Sequence, residues 1–453
     1  MASPPAARDL ALWVLSEANR RGVWVEEALA TVLRRHPGLP AAERALLLEL
    51  VQGVKRWEIR LDWVLRHFLP QPLKKLHPRV LLILRLGAYQ LLFLDRIPAR
   101  AAIHEAVSQA KAARLPAVHG GLVNAVLRRL AKEGPPPLPP KEPDPVAHLS
   151  LAHAHPEWLV RRWLERHGLT ETEARLAANN HHPPLTVRVN TLKTTPAALK
   201  ARLTAEGITA EPTKYYPHGL VLTHWRTPPP EAPSHREGLW RFQDEAAMLA
   251  GLLLPLSPGD RVLELGAGRG GKSTHLAERL GNQGLVAAVE LNPARLKDLR
   301  RALRAWGATV VAPLRADAGK ALPFREAAGD AALLDVPCSG LGTIRRHPEI
   351  KTRLIEADLA TFPPRQLRML TAAAPVVRPG GWLLYLTCTT EPEENEAVVA
   401  AFLAEHPEFR HMADLDLFPA PVRPFIEAEG WFRTSPATHG LDGFFGALLR
   451  KAG

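Results

Sequence analysis

Two cysteines in 453 residues, Cys338 and Cys388, cannot build a disulfide framework, and no Cys/His spacing in the chain resembles a zinc site. No metal is therefore expected. No window approaches the roughly 18 uninterrupted apolar residues of a membrane span. The opening MASPPAARDLALWVL lacks the basic stretch before an apolar core that marks a secretory leader. These absences exclude a disulfide-stapled secreted fold, a zinc module and a bundle of membrane helices, and leave a cytoplasmic globular chain as the expectation. The length suffices for two or three domains, each with its own core. Proline, by contrast, is plentiful at 43 residues, which points to linkers and rigid loops.

Positive charge is also present, and it is local. Of the net +12, residues 1–140 carry +10, residues 141–240 carry +2, and residues 241–453 are balanced at 25 basic and 25 acidic side chains. Binding to a phosphate backbone accounts for such an asymmetry; a solvated basic surface without a partner is the competing explanation.

Residues 1–132 read as helices throughout. LALWVLSEAN, AERALLLELVQGVKRW, LDWVLRHFL, VLLILRLGAYQLLFL and IHEAVSQAKAA each place apolar residues at helical spacing, with turns at Pro37-Gly38, Pro70, Pro78, Pro98 and Pro116. GGLVNAVLRRLAK closes the set, with Arg128, Arg129 and Lys132 near its carboxyl end, where cations also complement the helix dipole. GPPPLPPKEPDP (134–145) is a semi-rigid linker by composition. Residues 150–240 mix a helix, HPEWLVRRWLERHG, with a strand, TVRVN; alternation there predicts Arg188 and Asn190 on an exposed face.

From Arg241 strands and helices alternate. Strands are predicted at 261–265, 285–290, 309–314, 331–336, 381–387 and 443–450, with helices between them that include 271–280, 293–306, 356–377 and 391–404. That alternation implies a parallel, doubly wound sheet, whose ligands bind outside the carboxyl ends of its strands. The first strand runs into RVLELGAGRGGKSTHLAERL, a glycine turn opening a helix, where backbone approaches a ligand closely and free N–H groups point at it. The stretch lacks the Walker spacing, because only two residues separate Gly268 from Gly271. Glu290, about 20 residues past the turn, is placed to accept from ribose hydroxyls, and Asp317, after the third strand, from an adenine amino group. Glycine loop, acid and acid on successive strands suit S-adenosylmethionine as well as NAD.

Both cysteines fall just past predicted strands, Cys338 in LLDVPCSGLGTIRRHPEIK beside Asp335, and Cys388 in WLLYLTCTT. Two thiols at a ligand-binding edge, one near a carboxylate, suggest covalent chemistry; small core fillers are the bland alternative. Arg345, Arg346 and His347 follow Cys338 and are placed to hold phosphates, unless they form an ordinary surface cluster. The acids Glu391, Glu393, Glu394 and Glu396 are expected to begin a helix, where the dipole explains them without function.

LGAGRGGKSTHLAE, LLDVPCSGLGTIRRHPEIK, YLTCTTEPEENEAVV and GLDGFFGALLRK, with RFQDEAA, HPEWL and PPLTVRVN upstream, resemble the RNA cytosine-5 methyltransferases of the RsmB (Sun or Fmu) family. The helix order and VNAVLRR resemble the NusB-type RNA-binding domain. One departure stands out. Where the family usually has CAAPGGK, this chain has Gly266-Ala267-Gly268-Arg269-Gly270-Gly271-Lys272; Gly266 replaces the cysteine and Arg269 the proline.

The resemblance implies a multidomain chain. An all-α NusB-like RNA-binding domain occupies 1–133, a proline-rich linker 134–149, a small α+β RNA-guiding subdomain 150–240, and a Rossmann-like α/β methyltransferase domain 241–453. It implies S-adenosylmethionine held by residues 266–272 with Glu290, Asp317 and Asp335, and a cytidine of small-subunit ribosomal RNA as substrate. Arg128, Arg129, Arg345 and Arg346 would bind RNA. Spacing does not say which cysteine attacks. A Pro-Cys nucleophile, as in DNA cytosine-5 methyltransferases, would select Cys338. The RNA family assigns Cys388 as nucleophile and Cys338 to release, with Asp335 at N3 of the base and Lys272 orienting it. A transfer RNA target, or an RNA-binding assembly factor with a degenerate catalytic domain, remain as alternatives. A monomer is the favoured oligomeric reading.

Overall fold

The computed structural model describes residues 6–113 and 115–453. Residues 1–5 of the opening stretch lie outside the described residues. The chain packs into two compact units, one formed by residues up to 181 together with 347–354, the other by 182–346 and 355–453.

The first unit is all helix: α1 (Ala7–Arg21), α2 (Val25–Arg35), α3 (Ala41–Phe68), α4 (Pro78–Phe93), α5 (Ala99–Ala112), α6 (Ala117–Glu133), α7 (Pro145–His153) and α8 (Glu157–Ala178). Proline at or just before the start of several helices fixes their entry angles, as its ring preorganises the first turn. Two stretches read separately, AERALLLELVQGVKRW and LDWVLRHFL, are one 28-residue helix, because no breaker stands between them. Leu47, Leu50, Val54, Leu61 and Leu65 of α3 are fully buried and pack with Ile83 and Leu84 of α4. Some of the unit's charges are internal and cancel in pairs. Lys55 and Arg85 are buried against Glu58 at 2.5 and 2.6 Å, and Arg85 also grips Asp62 at 2.7 Å.

The proline-rich stretch lies within this unit, and the division by packing falls at 181/182, inside the 150–240 stretch. The linker is folded onto its neighbours: Lys141 pairs with Glu173 at 2.6 Å, and His148 Nδ1 bonds the Pro139 carbonyl at 2.7 Å. Residues 347–354 complete the unit. The Val25 amide donates to Glu349 at 2.9 Å, and the buried Lys351 ammonium donates to the Arg56 carbonyl and to Asn180 Oδ1.

The second unit holds two sheets. The smaller is antiparallel, in the order β2-β3-β1-β4, from β1 (Leu185–Val189), β2 (Ile208–Pro212), β3 (Gly219–Trp225) and β4 (Trp240–Phe242), with α9 (Pro196–Ala205) and the one-turn α10 (Pro233–Arg236). After α11 (Glu245–Ala250) the larger sheet begins with β5 (Arg261–Leu265), α12 (Gly271–Arg279), β6 (Leu285–Val289), α13 (Pro293–Trp306), β7 (Val311–Leu314) and β8 (Gly329–Asp335). Beyond α14 (Ile350–Arg353), which belongs to the helical unit, come α15 (Phe362–Ala373), β9 (Val377–Thr387), α16 (Glu396–Glu405), β10 (Phe409–His411), β11 (Phe432–Arg433), α17 (Pro436–His439) and β12 (Phe445–Lys451). The order is β10-β12-β9-β8-β5-β6-β7, with β11 against β12.

Strands β5 to β9 pair parallel, as expected, but β12 runs antiparallel to β9 and makes the sheet mixed. Helix starts also differ. The 356–377 stretch is a 3₁₀ segment to Thr361 and then α15, which Pro363 and Pro364 open. Residues 391–395 form a turn in which Glu391, Glu394 and Asn395 are buried, so α16 starts only at Glu396. No helix among the described residues is long and apolar enough to cross a membrane.

Candidate active site

Chain order β5, β6, β7 runs outward on one side of β5, and β8, β9 on the other, so the strand order reverses beside β5. Crevices of doubly wound sheets open at such a reversal. Along this edge, in spatial order, stand Cys388 after β9, Asp335 and Cys338 at the end of β8, the glycine loop after β5, Glu290 after β6 and Asp317 after β7. The cysteine sulfurs, 50 residues apart in sequence, lie 3.4 Å from each other, and both side chains are half-buried. Lys272, in the first turn of α12, donates to Asp335 Oδ2 at 2.6 Å, and its ammonium sits 5.5 Å from the Phe444 ring.

The glycine loop is bound from several sides. Gly266 and Ala267 amides donate to the Val289 carbonyl, and Gly268 N–H donates to Glu290 Oε2 at 2.9 Å. The other oxygen of Glu290 accepts from the Asn292 amide at 2.6 Å. Gly266 has φ +81°, and a Cβ there would lie 2.3 Å from the Asp335 carbonyl oxygen. In this conformation only glycine fits, so the departure from cysteine at 266 belongs to the turn itself. Arg269 is largely exposed and pairs with Asp298 at 3.5 Å. Stiffness that a proline would supply comes instead from two arginines, the fully buried Arg188 and the half-buried Arg241. Arg241 donates to the Gly270 carbonyl at 2.5 Å and to Thr274 at 3.0 Å; Arg188 donates to the Gly271 carbonyl at 2.8 Å and to Thr274 at 2.6 Å. Burial and the neighbouring Arg188 lower the Arg241 pKa to about 9.

Arg188 is therefore not on an exposed face. It is 0% exposed, bonded to Glu278 and Gln243 as well, and Asn190, also fully buried, donates to the Gly238 and Trp306 carbonyls. Alternation failed because both faces of this strand are covered.

Arg345 and Arg346 require a second correction. Arg345 is 5% exposed and donates to Asp442 Oδ1 at 2.5 Å; Arg346 donates to the other oxygen of Asp442 at 2.6 Å and to Asp244. These guanidiniums are committed to an internal network and do not face phosphate. His347 lies in the helical unit, 3.4 Å from Glu26. Arg128 and Arg129 are exposed on α6, Arg128 bonded to Asn124 and Arg129 to Glu133 at 3.1 Å. Asp317, half-buried, accepts from the Gly319 amide at 3.0 Å.

Sequence reasoning missed Glu264 altogether and gave Glu394 no role beyond a helix start. Glu264, two positions before Gly266, is 1% exposed; burial lifts its pKa to about 7, and its Oε2 has no hydrogen-bond partner among the described residues. An acid inside the apolar run VLEL was the available signal. Glu394 is fully buried, and its carboxylate accepts from the Ser339 amide at 2.9 Å, Gln366 at 3.0 Å and Thr389 at 3.2 Å. No cluster of three or more metal-ligating His, Cys, Asp or Glu side chains occurs among the described residues.

Cys338 holds its proton far above the usual thiol range, because of its hydrogen bond with Cys388, its burial, and the negative charge of Cys388 and Glu394. The two loops are pinned by backbone. Gly342 N–H donates to the Cys388 carbonyl at 3.0 Å, and Gly443 N–H to the Gly342 carbonyl at 2.7 Å; a Cβ on Gly342 would lie 2.0 Å from the Gly443 carbonyl oxygen.

Residues 251–450 match the family model described as 16S rRNA methyltransferase RsmB/F, residues 5–132 the NusB family, and residues 155–226 the RsmF/B-like ferredoxin-like domain. The chain is 36% identical, over 99% of both chains, to the protein named "Probable ribosomal RNA small subunit methyltransferase B" of Bacillus subtilis (strain 168). It is 37% identical to "Ribosomal RNA small subunit methyltransferase B" of Pseudomonas putida, over 90% of this chain and 91% of that one. The crystal structure of PH0851 superimposes with a TM-score of 0.85 at 28% identity, covering 99% of this chain and all of that one. NSun6 from Pyrococcus horikoshii shares the fold over 66% of this chain and 99% of its own, with a TM-score of 0.58 at 21% identity. With full-length relatives and one sheet edge carrying glycine loop, acids and paired thiols, the chain belongs to the RsmB/F family of 16S rRNA methyltransferases.

Proposed function

We propose that this chain methylates C5 of a specific cytidine in small-subunit ribosomal RNA, with Cys388 as nucleophile and Cys338 assisting release. The observation that carries the reading is the 3.4 Å approach of the two sulfurs beside the Lys272–Asp335 pair. The site suits S-adenosylmethionine on its own features. Gly266 and Gly268 adopt positive φ and carry no side chain, so backbone can approach a ligand there, and the orphaned Glu264 oxygen is a buried acceptor for a cationic group. Glu290 and Asp317 stand on the next two strands for ribose and adenine. Bound there, the cofactor supplies an electrophilic methyl group.

The rest is the work of the chain. Cytosine C5 is too weak a nucleophile unaided. The Cys388 thiolate adds to C6, the ring electrons move toward C5, and Asp335, oriented by Lys272, hydrogen-bonds N3 and, when protonated, supplies the proton that N3 takes up. Once C5 is methylated, a base takes the C5 proton, the electrons it leaves expel the Cys388 thiolate from C6, and the N3 proton returns to Asp335. Cys338, still a thiol, donates to the departing Cys388 sulfur. The target base must leave any stack to reach the site. Residues 1–133 act as the RNA-binding domain and 150–240 as the RNA guide, with Arg128 and Arg129 on phosphate.

The test compares Cys388→Ala with Cys338→Ala on unmodified rRNA and labelled cofactor. Cys388→Ala should give no covalent adduct on a denaturing gel, and Cys338→Ala an accumulating one. The reverse pattern would exchange the two roles. RNA binding without methyl transfer by the unaltered chain would mark an assembly factor instead.

A further inference from the structure

Glu394 was expected in an acidic run that begins a helix, yet it is buried and bonds the residue after each cysteine. Its Oε2 accepts from the Ser339 amide, directly after Cys338, and its Oε1 from the Thr389 hydroxyl, directly after Cys388. The Ser339 and Thr389 hydroxyls bond each other at 2.7 Å. Gln366 of α15 fills the remaining lobe of Oε2 at 3.0 Å, and Asn395 secures the same turn by accepting from Thr387 at 2.6 Å and donating to the Thr389 carbonyl at 3.2 Å. One carboxylate thus ties together the two loops whose sulfurs must meet.

We propose that Glu394 is a positioning residue for the thiol pair: it locks the Ser339 and Thr389 loops together, and its charge decides which sulfur keeps the shared proton. The inference rests on Cys388 being the nucleophile. Negative charge on Glu394, bonded to the amide directly after Cys338, disfavours a second charge on Cys338. Cys338 stays a thiol, pointing its hydrogen at the sulfur that attacks and later departs.

Other titratable groups near the pair do not compete for this role. Tyr385 of β9 donates to the Glu394 carbonyl oxygen at 2.5 Å, and burial with the charge of Cys338 and Glu394 pushes its phenol well up, so it stays neutral. Glu391 is buried in the same turn, and Lys272 is already paired with Asp335. Burial raises the Glu394 pKa above the ordinary carboxylate value, and hydrogen bonds from Ser339, Gln366 and Thr389 offset only part of that.

Glu394→Gln separates charge from scaffold. The amide oxygen keeps the Ser339 and Gln366 bonds. The new NH₂ donates to Thr389, whose hydroxyl turns to Ser339. The probe is alkylation by iodoacetamide as a function of pH, in a Cys388→Ser background so that only Cys338 reacts. Adding Glu394→Gln should lower the Cys338 midpoint by about one pH unit, roughly tenfold more thiolate at a fixed pH below both midpoints. In a Cys338→Ser background the Cys388 midpoint should move much less. Ser339→Ala keeps the charge, cuts the hydroxyl link and should shift neither. An unmoved Cys338 midpoint overturns the inference. So does an equal shift at Cys388, or a Ser339→Ala shift as large as that of Glu394→Gln. Failure of Cys338→Ala to trap RNA would sink the assignment of roles while leaving the alkylation result readable by itself.

Discussion

A carboxylate inside an apolar strand costs free energy whenever it ionises, and Glu264 is such a group. Burial raises its pKa from 4.5 to about 7 in the folded chain, partly opposed by Ser273 and Lys272. A folded pKa above the unfolded one means stability fully present below pH 4.5 and lost as pH rises through about 7. The shift corresponds to about 3 kcal/mol. We therefore expect the cofactor-free chain to lose stability between these pH values, and Glu264→Gln to flatten that slope. Urea midpoints at pH 5 and pH 8 measure it. A wild-type slope as flat as the variant's would show that Glu264 is neutral throughout or is solvated in the fold. Residue patterns exposed the chemistry at this scale only in part. The cysteines and Asp335 were legible because they stand at strand ends, and Lys272 because it opens the helix after the glycine turn. Glu264 and Glu394 were not, because charge is read as exposure until burial is seen.

Elements carry a different lesson, since β1 and α12 are far apart in sequence and are joined by one side chain. Arg188 leaves β1 to reach the Gly271 carbonyl, Thr274 and Glu278, and stacks 5.2 Å from the Trp306 ring. Alternation in TVRVN pointed this residue at solvent, and nothing local says that α12 covers that face. The strand itself was legible, as were β5 to β9, because their apolar runs end in turns. The antiparallel β12 was legible as a strand but not in direction, which is fixed by pairing rather than by local pattern. Arg188→Met keeps most of the volume and leaves the buried Glu278 without its cation, though Trp306 still donates to it at 2.9 Å. Breaking one side of a buried pair typically costs about 3–5 kcal/mol. We expect a loss in that range by urea unfolding, with weaker cofactor binding by calorimetry as the α12 amino terminus loosens. Weaker binding at unchanged stability would instead make Arg188 a contact of the ligand.

Across the whole molecule, the charge open to RNA is the +10 of residues 1–140. Lys55 and Arg85 are interior and are matched there by Glu58 and Asp62, so they add nothing to that excess. Arg345 and Arg346, although beside the chemistry, are likewise tied to Asp442 and Asp244. Exposed cations such as Arg128 and Arg129 on α6 are what remain for phosphate. Each phosphate neutralised changes the slope of log K against log salt by about 0.7 for single strands and 0.9 for duplex. If both arginines contact RNA, Arg128→Ala with Arg129→Ala should reduce that slope by about 1.4 to 1.8. Affinity should weaken evenly across RNA sequences, while methyl transfer at saturating RNA is unchanged, because α6 carries none of the proposed chemistry. Arg345→Ala should do the opposite: it leaves Asp442 short of a partner, lowers stability and activity together, and does not alter the salt slope of the folded fraction. Filter binding between 50 and 200 mM salt, beside thermal unfolding of the same variants, distinguishes the two kinds of arginine. An unchanged slope in the α6 double variant would remove this helix from the RNA-binding surface.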